Sequence, residues 1–215
     1  MTEASITATS NGEARVPLLE RDQVAPEAAA LYDKLMADRG CVPNMFKALA
    51  NVPALALGIA ALIKPLMGEG ALVGWYKELI AIRVAALNQC EYCISAHRFL
   101  ALQRGATPQQ IASLGDTSDD TFETGPFTGR EKAGFRYAGL LHVSGHSIDD
   151  AAYAAVSAHF NADELIELTA VAAAFEFFPR FNSALMIPVT PLPATPSARS
   201  TGLADCPAPN SPAAS

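Results

Sequence analysis

An all-α fold is predicted by three features of this 215-residue sequence. Alternating β-branched runs are scarce, and no Asn-Gly turn joins two of them. Helix-start patterns recur: Thr128-x-x-Glu131, Ser147-x-x-Asp150 and Asn161-x-x-Glu164 each set a capping residue before an apolar run. Pro26 and Pro108 fall at first-turn positions, where a helix needs no backbone N–H from them.

The elements follow in order. A helix is expected over 25–39, a short one over 44–50 after Pro43, and another over 53–66 with a break near Pro65. Gly68 and Gly70 mark a loop. A strong helix over 75–87 is interrupted at Asn88–Gln89, and the next, over 90–104, stops at Gly105. Thr107-Pro108 opens a helix over 108–114, and 115–127 reads as a polar loop carrying Asp116, Asp119, Asp120 and Glu123. Helices over 129–142, 148–159 and 162–185 complete the set, the last with Pro179 as an expected kink. Residues 1–15 are small and polar and are expected to be disordered. The Pro/Ala/Ser/Thr-rich stretch 188–215 reads as an arm over 188–196, packed on a neighbour, then a loose tail. One domain over 16–187 remains.

Composition bounds the function. Half the residues are hydrophobic and only 17% are charged, which favours an oligomer that hides part of its surface. The net charge of −7 comes without any Lys/Arg cluster, so no nucleic-acid partner is expected. The apolar stretches are interrupted by Lys64, Arg83, Glu167 and Glu176, so none reads as a membrane span. The N-terminal residues lack an apolar core of the signal-peptide kind, and a cytoplasmic location is expected. No GxGxxG or P-loop is present, so no nucleotide, flavin or haem cofactor is expected.

The chemistry concentrates between Glu78 and His97. Four cysteines are present, and one close pair in such a chain points to redox or metal chemistry, with Cys41 and Cys206 incidental. Cys90, Cys93 and His97 stand at i, i+3 and i+7, one face of a helix. Two thiols one turn apart can close a disulfide. The free N–H groups at a helix start stabilise a thiolate, which on this argument alone favours Cys90 as the more acidic thiol. Glu78 would lie about 18 Å from Cys90 on one straight helix. It joins the site only if the chain reverses at Asn88–Gln89 and the two helices pack antiparallel. Glu78 would then hold His97, and His97 would take the thiol proton.

Other readings compete. Glu78, Cys90, Cys93 and His97 number four possible zinc ligands, but structural zinc draws on two separate knuckles and no second pair exists, so no metal is expected. The cysteines alone read as buried helix residues, Glu78 as an exposed carboxylate or a partner of Lys77 or Arg83, and His97 as an interfacial histidine. His142 and His146 read as a loop pair and His159 as a helix-end residue. Arg180 and Asn182 read as residues holding helix ends together.

The pattern Glu-x11-Cys-x2-Cys-x3-His resembles the signature of the alkylhydroperoxidase D-like branch of the carboxymuconolactone decarboxylase family. Val42-Pro-Asn-Met-Phe-Lys-Ala-Leu-Ala, Lys77-Glu-Leu-Ile, Asn88-Gln-Cys-Glu-Tyr-Cys, Ala96-His97 and Arg180-Phe-Asn182 are similar to family segments in the same order, so the likeness spans roughly residues 16–192. The resemblance implies packed antiparallel helices, assembly as a homotrimer or homohexamer, and a thiol-peroxidase cycle reset by an external dithiol. It implies that Cys93 attacks the peroxide, Cys90 closes the disulfide, and Glu78 and His97 relay protons. One departure is Tyr92, where the best-studied members carry a second histidine. A tyrosine, with an ordinary pKa of about 10, is no base at neutral pH but can donate a hydrogen bond to a bound peroxide. Two other functions fit the same residues: a redox sensor or small-molecule-binding oligomer without turnover, and an acid–base enzyme using Glu78 and His97 on a lactone-like substrate.

Overall fold

The computed structural model describes residues 13–115 and 121–191. Ten α-helices stand among these residues, with no strand. They are α1 (Pro26–Arg39), α2 (Asn44–Leu49), α3 (Pro53–Met67), α4 (Gly74–Leu87), α5 (Glu91–Gln103), α6 (Pro108–Ala112), α7 (Thr121–Thr124), α8 (Gly129–Val143), α9 (Asp150–Ser157) and α10 (Ala162–Ala184). None is long and apolar enough to cross a membrane.

The centre of the fold is α4. Leu79, Ile80, Ala81, Ile82, Val84 and Ala85 are fully buried, because α3, α5, α6, α8 and α10 pack around them. A helix apolar on every side has no solvent face to choose and becomes the core. Three charged residues go in with it. Lys77 donates to Gly68 O at 2.9 Å and pairs with Glu167 at 2.9 Å. The Arg83 guanidinium lies 5.0 Å from the Phe122 ring centre. Glu78 belongs to the site described below.

Glu167 also accepts from the Ala71 and Leu72 N–H groups, so this carboxylate ties the α3–α4 loop to α10. Glu167→Ala strands the Lys77 ammonium in the core and is expected to cost about 3 kcal/mol. Adding Lys77→Met should restore part of that loss, which urea melts of the single and double variants measure.

The chain reverses between α4 and α5 at two residues. Gln89 takes a left-handed φ of 55°, and Cys90 N–H reaches back to Ala85 O at 2.9 Å. Asn88 fixes the turn by donating to Val84 O at 2.9 Å and to Glu176 Oε2 of α10 at 3.0 Å. So short a connection forces α4 and α5 antiparallel and side by side.

Most helix starts fall where the caps put them. Thr107, Thr128 and Asn161 each close a capping box. Several expectations are corrected. Asp149, rather than Ser147, caps α9, its side chain accepting from Ala152 N–H at 2.8 Å, and α9 ends at Ser157. Helix α3 runs through Pro65 to Met67 without the expected break. The expected loop over 115–127 contains α7, whose Phe122 is buried against Phe135 with ring centres 5.8 Å apart. Its acidic residues Asp116, Asp119 and Asp120 lie outside the described residues.

The expected disorder of 1–15 stops short of Arg15, which donates from its backbone to Leu185 O at 2.8 Å and from Nη1 to Ala184 O at 2.9 Å. Residues 1–12 lie outside the described residues. So does the arm and tail from 192 onward. Up to Pro191 the arm packs on its own chain: Asn44 N–H donates to Thr190 Oγ1 at 2.9 Å and Asn44 Nδ2 to Pro188 O at 3.1 Å.

Candidate active site

A cavity of about 90 Å³ opens where α4, α5 and α10 meet the ends of α1, α2 and α3. Its walls include Met45, Phe46, Ile63, Met67, Phe175 and Phe178, and its polar groups include Glu78, Tyr92, Cys93, His97 and Asn182. The antiparallel α4–α5 pair creates this arrangement. Glu78, in the second turn of α4, lies against the second half of α5, so residues far apart in sequence meet.

Glu78 is fully buried. His97 Nδ1 lies 2.5 Å from its Oε2, and Arg104 Nη1 lies 2.8 Å from its Oε1. Burial pushes the Glu78 carboxyl up, but His97, Arg104 and Arg39 together outweigh it, and the net shift is downward. The carboxylate has no proton to give, so Nδ1 of His97 carries it and Nε2 is the remaining protonatable nitrogen. Phe175 stands edge-on to the imidazole, with ring centres 4.6 Å apart, and fixes the ring plane. Arg104 Nη1 also donates to Met67 O at 2.8 Å. The contact with Glu78 Oε1 is a charge contact without hydrogen-bond alignment.

Cys90 and Cys93 are free thiols, and both are buried. Cys90 is the N-cap of α5 and not its first helical residue. The Cys93 side chain hydrogen-bonds to the Cys90 sulfur. That bond, with the Cys93 and Tyr92 backbone groups and the Ser183 side chain, lowers the Cys90 thiol to about 6 against the opposing effect of burial. Cys93 is raised, because it gives its proton to Cys90 and because it is buried. The two sulfurs share one proton, and their titration belongs to the pair. Asn182 Nδ2 donates to Cys93 Sγ at 3.5 Å from the other side.

The sulfurs face different surroundings. Cys93 lines the cavity with Glu78 and His97, whereas Cys90 lies beside the exposed Ser183. The lowered Cys90 thiol agrees with the helix-start argument, since the Cys93 and Tyr92 backbone groups of the first turn contribute to it. Ultraviolet thiolate absorbance is expected to rise with a midpoint of about 6. In Cys90→Ser the midpoint should move above 8, roughly where an unassisted thiol titrates or higher. An unchanged midpoint would place the thiolate elsewhere.

The Tyr92 hydroxyl is already engaged. It accepts from Met45 N–H at 3.0 Å and shares a 3.1 Å hydrogen bond with Thr190 Oγ1. It reaches the cavity wall while tying α2 and the arm to α5, and it has a proton for a ligand only when Thr190 is the donor.

Sequence reasoning missed four residues. Asn182, read as a helix-end residue, is buried and aimed at Cys93. Arg104 carried one signal: it stands seven residues after His97, on the same face of α5. Arg39 and Thr190 come from segments no local spacing connects to the cysteines. Cys41, expected to be incidental, lines the same cavity. Cys206 lies outside the described residues. His142 pairs with Glu176 at 2.9 Å at the end of α8, and His146 lies in the following turn. No group of three or more potential metal ligands forms among the described residues.

The carboxymuconolactone decarboxylase family model matches residues 53–122, the stretch from α3 to α7 that contains Glu78, both cysteines and His97. The uncharacterized protein YnjA of Escherichia coli K12 is 29% identical over 124 residues, or 58% of this chain. The chain spans 66% of that relative's length. An uncharacterized peroxidase-related protein of Ralstonia eutropha JMP134, with an alkylhydroperoxidase AhpD core, superposes with a TM-score of 0.75 at 22% identity, covering 82% of this chain and 92% of that one. The debrominase Bmp8, crystallised with 2,3,4-tribromopyrrole, superposes with a TM-score of 0.69 at 20% identity, covering 81% of this chain and 91% of its own. These two likenesses are of fold.

Proposed function

We propose that the chain is a member of the carboxymuconolactone decarboxylase family, whose model matches residues 53–122, and that on its alkylhydroperoxidase D-like fold it works as a cysteine-dependent peroxidase. It reduces organic hydroperoxides through a Cys90/Cys93 thiol–disulfide cycle with a Glu78–His97 proton relay. One observation carries the reading. Cys93 lies in the wall of the same cavity as the Glu78–His97 pair and is hydrogen-bonded to Cys90, whose thiol is held well below its ordinary value.

The steps follow from that arrangement. The Cys93 proton passes along the existing hydrogen bond to Cys90, leaving a Cys93 thiolate that Asn182 stabilises. This sulfur attacks the terminal oxygen of ROOH. The O–O bond breaks, the sulfur is oxidised to sulfenic acid, and the alkoxide leaves as ROH with a proton that Nε2 of His97 takes from solvent and hands on. Glu78 holds the imidazole in place and offsets its charge. Cys90 then attacks the sulfenic sulfur, water leaves, and the disulfide forms. An external dithiol reduces it through a mixed disulfide and restores both thiols.

We place the protein in a homo-oligomer, a trimer or hexamer. Exposed apolar side chains such as Leu62 at 50% and Ile166 at 68% support that assembly.

The test is steady-state turnover with an organic hydroperoxide and excess dithiol. Repeated turnover supports a peroxidase. One oxidation without reset would make the pair a redox sensor. Turnover of a lactone that survives Cys93→Ser would make the site an acid–base one.

A further inference from the structure

The cavity holds more positive than negative charge. Glu78 is its one carboxylate among the described residues, and its two oxygens face His97 and Arg104. Arg39 brings a second guanidinium. It is the last residue of α1, where Gly40 turns the chain with φ of 72°. Its side chain lines both the cavity and the adjoining groove between α1 and α3.

Among the described residues no acid forms an ion pair with it. Glu78 acts on Arg39 only through the general field of the site, and Arg104, a like charge, opposes it. The neighbouring Asp38 is taken by Lys34 at 2.6 Å. The Arg39 Nε atom is buried and has no hydrogen-bond partner among the described residues. A buried donor without a partner calls for an acceptor from elsewhere. The side chains on the cavity wall do not supply one: the Tyr92 hydroxyl is engaged with Met45 and Thr190, Glu78 Oε1 and Asn182 Oδ1 themselves have no hydrogen-bond partner among the described residues and so do not reach Arg39 Nε, burial raises the Cys41 thiol, and the hydrogen bond to Cys90 together with burial raises Cys93.

We propose that this cavity takes a small carboxylate-bearing ligand, its carboxylate held by the Arg39 guanidinium and its apolar body packed against Met45, Phe46, Ile63 and Met67. Guanidinium and carboxylate match as a two-point fork, which explains an arginine rather than a lysine at this wall. The apolar side chains select against a hydrated inorganic anion. A space of about 90 Å³, at roughly 10–15 Å³ for each water-sized unit, admits a ligand of about six to nine non-hydrogen atoms. Resting on the peroxidase reading above, the inference names the substrate class as a short-chain hydroperoxide that carries a carboxylate.

The test is binding, which needs no peroxide chemistry. Hexanoate and hexan-1-ol are titrated into the reduced full chain by calorimetry, with Arg39→Met and Arg39→Lys alongside. Hexanoate is expected to bind about tenfold or more tightly than hexan-1-ol, the scale of one hydrogen bond to a charged group. The preference should vanish in Arg39→Met and fall in Arg39→Lys. Equal binding of the two ligands by the unaltered protein would overturn the inference, as would a preference that survives in folded Arg39→Met. Should Arg39→Met fail to fold, Arg39→Lys decides: an undiminished preference overturns it. Hexanoate preference without peroxide turnover would remove the peroxidase reading and leave the ligand site standing. Turnover of neutral hydroperoxides without that preference would do the reverse.

Discussion

Cys93→Ser should lose steady-state peroxide turnover on the order of a thousandfold or more, because it removes the only cavity-facing sulfur of the pair. Cys90→Ser should fail differently. Cys93 keeps its place in the cavity wall but loses the sulfur that takes its proton and the thiol that resolves the sulfenic acid. A slower first oxidation is expected, ending at a Cys93 sulfenic acid that a 1,3-dione traps, with no further turnover. The two variants also settle which sulfur attacks. A trapped sulfenic acid on Cys90 in Cys93→Ser, formed as fast as in the unaltered protein, would reverse the assignment. That result would mean that the acidity of Cys90 outweighs the exposure of Cys93 to the cavity.

Glu78→Gln should do double damage. The amide still fits the space and can accept from His97, but it carries no charge. Arg104 and Arg39 then sit near each other with no anion between them, and His97 loses the partner that offsets its proton. Turnover is expected to fall about a hundredfold or more, and folding stability by about 3 kcal/mol. The pH dependence has a definite sign. Glu78 is held below its ordinary carboxyl value of 4.5 in the folded chain. Its contribution is therefore complete above 4.5 and is lost as pH falls through the lower folded value. Urea melts should show a constant gap between the two proteins from neutral pH down to about that value, and a shrinking gap below it. A gap that persists unchanged in stronger acid would mean that the lost charge is not the cause.

The parts of this molecule that sequence reveals are those with local causes. Capping side chains at Thr128 and Asn161 satisfy N–H groups two or three residues away, so the helix starts they mark are visible without a fold. Cys93 and His97 share the cavity-facing side of α5 through spacing alone, whereas Cys90, expected on the same face, is the N-cap and lies beside Ser183 instead. Glu78 needed one further step, the reversal at Asn88–Gln89, and the turn did form there. What stayed hidden depends on distant contacts. Asn182 looks like a residue at the end of a helix until α10 is laid beside α5, when it reaches Cys93. Phe122 sits in an acidic stretch that reads as a loop, yet Phe135 and Arg83 draw it into the core as part of a helical turn. Arg39 belongs to the site only because α1 ends at the cavity wall. Tyr92 was legible as a wall residue, but its bonds to Met45 and Thr190 come from elements far away in the chain.

Intact mass of the reduced protein, before and after one equivalent of an organic hydroperoxide, tests the thiol–disulfide cycle most directly. A loss of about 2 Da, the two thiol hydrogens, mapped by peptide analysis to a Cys90–Cys93 disulfide, is the expected outcome. A pair that stays reduced under excess peroxide would contradict the cycle and leave Glu78 and His97 as an acid–base pair beside two unreactive thiols.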